Sequence, residues 1–262
     1  MSTISVDGLN MFYELKGSGE PILFLHGLGS STIDWEYQID YFANHYQTIS
    51  LDMRGHGQTE KPKGPYSISM FAKDVAAFIK ALELPRVHVV GISMGGMIAL
   101  QLASDNQELL KSLVVVNSLA HYKLKTPGDY YGFYKRLLLI RFLGMAKIGE
   151  VIGSNLFPEE HQANIRKVFK ERWAKNDKSS YAAAMKAIVK WSVEDGLEHI
   201  QIPTLIVTGD QDYSPVSEKA ALVKRLANAK LTVIENSRHG TPIDQAKQFN
   251  KAVDDFLKAN TT

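Results

Sequence analysis

Arg86-Val87-His88-Val89-Val90-Gly91-Ile92-Ser93-Met94-Gly95-Gly96-Met97-Ile98-Ala99-Leu100 is the stretch on which the fold turns. It opens as a short β-rich apolar run, Arg86 to Val90. It closes as a helical pattern over Ile98 to Ala103, and between the two lies a G-x-S-x-G pattern, Gly91 to Gly95. A strand that turns this sharply into a helix holds the serine in a strained backbone conformation. Side chains at the flanking glycines would collide with neighbouring elements. The hydroxyl of Ser93 is then expected at the carboxyl end of a sheet. The N–H groups of the helix behind it would point at any developing negative charge.

Working outward, the same alternation recurs. Pro21 to Leu25 is a continuous apolar run ending in His26-Gly27-Leu28-Gly29, as suits a strand buried on both faces. Trp35, Ile39 and Phe42 recur at helical spacing. Thr48 to Leu51 reads as a strand ending in Asp52-Met53-Arg54-Gly55-His56-Gly57, and Phe71, Val75, Phe78, Ile79 and Leu82 mark a helix. Leu113 to Val116, Pro203 to Thr208 and Leu231 to Ile234 complete the parallel set. Glu218 to Leu226 and Phe249 to Leu257 are helical, and Ser2 to Val6 with Met11 to Tyr13 reads as an N-terminal hairpin around Asp7-Gly8. Strand and helix in alternation predict a doubly wound α/β sheet with right-handed crossovers.

Between about Ala120 and Gly196 the alternation stops and only helical patterns appear. Pro158-Glu159-Glu160 marks a helix start, Ile165, Phe169 and Trp173 follow at intervals of four, and Tyr181, Met185 and Ile188 mark another helix. Residues 120–196 are therefore expected to form an all-helical insertion, with 1–119 and 197–262 as the α/β core. The insertion carries 14 Lys+Arg against 8 Asp+Glu, and the rest of the chain 16 against 20. That basic excess reads either as a solvated helical surface or as a lid that attracts anionic substrates or a membrane surface. Tyr130, Tyr131, Phe133 and Tyr134 cluster near its start, as packing residues or as pocket lining.

Composition excludes several classes. The 262 residues contain no cysteine, which removes disulfides, zinc–thiolate sites and cysteine nucleophiles. A net charge of +2 argues against a dedicated nucleic-acid binder. The opening MSTISVDGLN has neither a basic nor an apolar signal region. The apolar run Leu137 to Ile140 is broken by Arg141, far short of the roughly 20 residues that a span needs. The expectation is a cytoplasmic protein without membrane span, nucleic-acid partner, metal or cofactor.

A serine hydroxyl needs a base to become a nucleophile. Of the eight histidines, His26 and His56 sit in glycine-rich loops that suggest structural hydrogen bonding. His45, His88, His121, His161 and His199 have no supporting motif. His239 lies in Ser237-Arg238-His239-Gly240-Thr241-Pro242, after the last strand and at the same sheet edge as Ser93. Gly209-Asp210-Gln211-Asp212 follows the strand before it and offers two candidate acids in the chain order Ser, Asp, His.

With these motifs the chain resembles the α/β-hydrolase fold family over nearly its whole length. The resemblance rests on His26-Gly27-Leu28-Gly29, Asp52-x-Arg54-Gly55-x-Gly57, the Ser93 turn, Gly209-x-x-Asp212 and His239. It implies a mostly parallel eight-stranded sheet with a helical cap inserted after strand 6. It implies Asp212 as the acid, with Asp210 as the alternative. Some members place the acid after strand 6, where this chain has Asn117, which cannot be anionic. It implies Ser93 as nucleophile, His239 as base, and the backbone N–H groups of Met94 and Leu28 as the oxyanion hole. A serine in place of an aspartate nucleophile removes haloalkane dehalogenase and epoxide hydrolase chemistry.

The expected activity is hydrolysis of a small-molecule carboxylic ester by a monomer or homodimer. Enol-lactone hydrolysis and carbon–carbon cleavage of dienoic diketones use the same triad. Thioester hydrolysis and perhydrolysis also stay open. A catalytically silent small-ligand receptor would be expected to lack a triad member, and none is missing. No large apolar lid and no secretion signal are seen, which argues against a lipase.

Overall fold

The computed structural model describes residues 2–260. Its sheet has eight strands: β1 (Ser2–Val6), β2 (Leu9–Lys16), β3 (Pro21–Leu25), β4 (Gln47–Leu51), β5 (Val87–Ile92), β6 (Leu110–Val116), β7 (Thr204–Gly209) and β8 (Ala229–Ile234). They lie in the order β1-β2-β4-β3-β5-β6-β7-β8. Only the pairings β1·β2 and β2·β4 are antiparallel, and every other neighbour is parallel. The chain therefore winds outward from β3 to β4 and then returns to lay β5 on the other side of β3. In an open α/β sheet that reversal opens a crevice at the carboxyl ends of the two strands. Here those ends are Leu25, followed by His26-Gly27, and Ile92, followed by Ser93.

The central strands are apolar throughout because both faces are covered. Leu23, Leu25, Val89, Leu113, Val115 and Ile206 point to one side, where they meet α2 (Ile68–Ala81) and α3 (Met94–Asn106). Ile22, Phe24, Val90, Val114, Leu205 and Val207 point to the other. There Phe42 of α1 (Glu36–Phe42) and Phe249, Val253 and Leu257 of α8 (Ala246–Lys258) close the core. The two-residue period of a strand divides the apolar set between faces, and the intervals of four in α8 align its three anchors on one stripe. Trp35, grouped by spacing with the α1 residues, stands in a 3-10 turn (Thr32–Trp35) just before that helix.

Between β6 and β7 come only helices: α4 (Pro127–Leu156), α5 (Ala163–Ala174) and α6 (Lys178–Ile188). Thr126 caps α4 by accepting from the Asp129 N–H, and the Asp129 carboxylate accepts in return from the Thr126 N–H. Gly144, at φ 78°, breaks α4 into two helical pieces. Ile140, Ile148, Phe157, Phe169, Trp173 and Tyr181 form a separate core between these helices, against which Leu28 and Ile243 of the sheet edge pack. Trp191, Val193 and Leu197, by contrast, belong to the core under the sheet.

Tyr130, Tyr131 and Tyr134 are neither packing residues nor pocket lining. They are exposed on the outer side of α4, and only Phe133 packs inward. With Leu138 and Phe142 they form an apolar outer arc that linear reading missed when it found no large apolar lid. Lys135, Arg136 and Arg141 interleave with these residues along the chain, and only the helical period gathers the apolar ones on one side. Among the described residues no helix is long and apolar enough to cross a membrane.

Candidate active site

Ser93 links β5 to α3 with φ 54° and ψ −116°, a region sparsely populated by residues with a Cβ. The surrounding structure holds it there. Its N–H donates to the Val116 carbonyl at 2.9 Å, and its carbonyl accepts from the Met97 N–H at 3.0 Å and the Ser118 hydroxyl at 2.8 Å. A Cβ on Gly91 would run into the Gly95 carbonyl, and one on Gly95 into the Leu25 carbonyl, so the turn closes only with glycine at both places.

The loop after β3 lies directly alongside, since a Cβ built on Gly27 would sit 3.5 Å from Ser93 Cβ. Gly27 accepts from the Ser30 N–H, and the Gly29 carbonyl accepts from Asn176 Nδ2 at 2.7 Å, while Trp173 and Tyr181 press on Gly29. Leu28 is thus pinned between two anchored residues. Met94, fully buried, opens α3, where the first N–H groups have no intrahelical acceptor. His26 has the structural role expected. Its Nδ1–H donates to the Gly27 carbonyl at 2.8 Å, and its Nε2 accepts from the Met53 N–H at 3.0 Å. Burial outweighs the carbonyl hydrogen bond and pushes its pKa down to about 4, so the ring is neutral.

Asp212 and His239 meet. His239 Nδ1–H donates to Asp212 Oδ1 at 2.5 Å, and the carboxylate is 1% exposed. With Nδ1 carrying the hydrogen, Nε2 is left as the acceptor. The Tyr213 ring stacks on the imidazole at 4.5 Å between centroids. Asp210 turns elsewhere and accepts from the Ser237 N–H at 3.0 Å. The second oxygen of Asp212 is held by a residue that sequence reading passed over. Lys219 of α7 (Val216–Arg225) is wholly buried and places Nζ 2.6 Å from Asp212 Oδ2, donating also to the Ser214 carbonyl and hydroxyl. Burial pushes the Asp212 carboxyl up. The His239 hydrogen bond and charge, with those of Lys219, outweigh it and hold the group well below the usual carboxylate range. A lysine seven residues after the aspartate, one helical turn into α7, was the available signal.

No hydrogen bond joins Ser93 Oγ to His239 Nε2 among the described contacts; such bonds are often long before substrate arrives. What joins their loops is the end of β6. Val116 takes the Ser93 N–H, and the next residue, Asn117 (φ 46°), takes the Gly209 N–H on Oδ1 at 3.0 Å. Asn117 Nδ2 donates to the carbonyls of Arg238 and His239 and to Thr241 Oγ1 at 2.8 Å. The residue set aside because it cannot be anionic instead ties the loop after β7, which carries Asp212, to the loop that carries His239.

The helices facing this edge contribute Arg136. It donates to the Tyr181 hydroxyl, its guanidinium lies 5.5 Å over the Tyr181 ring, and its Nε is buried without a partner. It also lies within electrostatic reach of Tyr213. Among the described residues no group of His, Asp or Glu is arranged to hold a metal ion.

The family model of the α/β hydrolase fold matches residues 20–246. The chain is 29% identical over 262 residues to 3-oxoadipate enol-lactonase 2 of Acinetobacter baylyi, covering 98% of this chain and 96% of that protein. It is also 29% identical over 259 residues to the (E)-2-((N-methylformamido)methylene)succinate hydrolase of the same organism, covering 94% and 93%. Among solved structures, the enol-lactonase from Burkholderia xenovorans superposes with a TM-score of 0.91 at 24% identity, over 98% of this chain and 100% of that one. An esterase from Exiguobacterium antarcticum superposes with a TM-score of 0.90, also at 24% identity, over 98% and 99%.

Proposed function

Because the chain belongs to the α/β-hydrolase fold family, we propose that it hydrolyses a small-molecule carboxylic ester through an acyl-enzyme on Ser93. The observation that carries the reading is the hydrogen bond from His239 to the buried Asp212 carboxylate, at the same sheet edge as a serine held at φ 54°. In the proposed reaction Ser93 Oγ attacks the ester carbonyl carbon while His239 Nε2 takes its proton. Asp212 keeps the imidazole in the Nδ1–H form and stabilises the imidazolium. The N–H groups of Met94 and Leu28 hold the oxyanion, worth about 10²–10³ in rate for each donor. His239 returns the proton to the leaving alkoxide. A water then attacks the acyl carbon as His239 takes its proton, and His239 passes that proton to Ser93 Oγ, which leaves as the hydroxyl. The helices of residues 120–196 act as the cap over this edge, and the reaction is placed in the cytoplasm.

An organophosphonate tests this directly. It should label Ser93 stoichiometrically and leave Ser93→Ala unlabelled. Equal labelling of the variant would remove the assignment.

One observation favours a narrower reading, an enol-lactone or ester that itself carries a carboxylate. Arg136 stands on the cap side of the site with an unpartnered buried N–H, and a guanidinium is suited to bidentate carboxylate recognition. The two Acinetobacter relatives, named for oxoadipate and succinate substrates, are consistent with this.

A further inference from the structure

Helix α4 is apolar on two sides, and only one of them is used. Phe133, Leu137 and Ile140 face the core shared with α5 and α6. Tyr130, Tyr131, Tyr134, Leu138 and Phe142 are 43–74% exposed, and at 3.6 residues per turn they fall within about a third of the helix circumference. Of the fifteen large apolar residues exposed among those described, eight lie between Tyr122 and Val151. A contiguous patch of this kind marks an interaction surface, whereas single exposed apolar residues do not.

Charge identifies what fits the patch. From Tyr130 to Gly149 the chain has Lys135, Arg136, Arg141 and Lys147 and no acidic residue. Arg136 turns inward to Tyr181. Lys135 and Arg141 stay with the exposed arc, their cations 5.8 Å over the Tyr131 ring and 5.9 Å over the Phe142 ring. A second copy packed on this face about a two-fold axis would bring the same cations together with no carboxylate on the arc to meet them. An anionic lipid surface meets both features. Aromatic rings settle at headgroup depth, while lysine and arginine side chains reach the lipid phosphates.

We propose that the outer arc of α4, centred on Tyr131, Tyr134, Leu138 and Phe142 with Lys135 and Arg141, docks the cap on an anionic bilayer surface. The inner side of the same helix packs in the cluster that includes Leu28, so docking and the candidate active site share one element. The inference does not depend on the ester-hydrolase reading, because none of its residues belongs to the triad.

Co-sedimentation tests it, using vesicles of phosphatidylcholine alone and of equal parts phosphatidylcholine and phosphatidylglycerol. The protein should bind the anionic vesicles at least tenfold more tightly, and binding should weaken as salt is raised. Lys135→Gln with Arg141→Gln should reduce that affinity by about 30-fold, five- to sixfold per charge. Tyr131→Ser with Phe142→Ser should abolish it even at low salt. All these variants should keep their turnover of a water-soluble ester, since the substituted side chains stand in solvent.

Equal binding to both vesicle types overturns the proposal, and so does binding indifferent to the four substitutions. A self-association seen in sedimentation velocity that Phe142→Ser disrupts, with no vesicle binding, assigns the arc to a second copy and also overturns it. Loss of ester turnover in Ser93→Ala with vesicle binding intact separates this test from that of the active site.

Discussion

At the scale of single residues the decisive pairing is between two buried charges. Asp212 has two oxygens and two partners, His239 on one and Lys219 on the other; its carboxylate and the Lys219 side chain are buried, and His239 is part-exposed. If Asp212 orients the base, Asp212→Asn should keep the fold and lower kcat by about 10⁴. Asp210→Asn should be far milder, because the Asp210 carboxylate accepts from the Ser237 N–H and not from His239 among the described contacts. Steady-state kinetics on one ester checks the ranking, and the reverse order would assign the acid to Asp210.

Lys219→Met should act on stability, since it leaves a buried carboxylate with one partner fewer, a loss of about 3–5 kcal/mol in urea unfolding at pH 7. The pH dependence has a definite sign. The folded Asp212 carboxyl titrates below its unfolded counterpart. Its contribution is therefore complete above the unfolded value of about 3.9 and is lost as pH falls towards the folded one. Without Lys219 that carboxyl accepts a proton more readily. The gap between wild type and Lys219→Met should be widest above pH 5 and narrow on acidification. A gap that does not change with pH would mean that lost packing, and not charge, causes it.

Among the secondary elements, the end of β6 does the joining. β5 delivers Ser93, β7 delivers the Asp212 loop and the loop after β8 delivers His239; the three strands are of equal length, but β8, at the sheet edge, is the most exposed. Asn117 meets the His239 loop through three hydrogen bonds and the end of β7, which leads to Asp212, through one. Asparagine suits both demands, since it tolerates positive φ and carries a donor and an acceptor on one planar group. Asn117→Asp keeps the shape but removes the donors to the Arg238 and His239 carbonyls. The expected result is a fall in kcat of about 10²-fold with KM nearly unchanged, the signature of a displaced catalytic group. A rise in KM at constant kcat would instead place Asn117 in substrate binding.

For the molecule as a whole, the sheet order explains why the site lies where it does. The reversal between β3 and β5 sets Gly27 against Ser93. The chain leaves the same edge after β6 to build α4, α5 and α6, so Trp173 and Tyr181 of those helices rest on Gly29, next to Leu28. In the proposed reaction the helical part would choose the substrate and supply none of the chemistry. Arg136 is the side chain through which that choice would be made. Arg136→Gln should lower kcat/KM for carboxylate-bearing esters by about 10-fold or more, in keeping with loss of a charged hydrogen bond of about 1.5–3 kcal/mol. Neutral acetate esters should be nearly unaffected. Parallel loss on both substrate types would assign Arg136 to holding Tyr181 in place.

The sequence by itself carried whatever local sterics and chain order dictate. Gly91 and Gly95 are required wherever a strand turns into a helix within one residue, and that requirement is written in five consecutive positions. Apolar runs such as Pro21 to Leu25 report burial on both faces without reference to any partner, and the order Ser93, Asp212, His239 is a property of the chain alone. Tertiary structure decided whatever depends on two distant residues meeting. Asp210 and Asp212 look alike in sequence, and only the position of His239, 27 residues on, separates them. Asn117 acts on carbonyls more than 120 residues away, which no spacing rule reaches. The outward aromatics of α4 were visible as residues but not as a surface. Whether a side chain faces a core or solvent is set by the phase of its helix against neighbours elsewhere in the chain, and that phase exists only once the helix has packed.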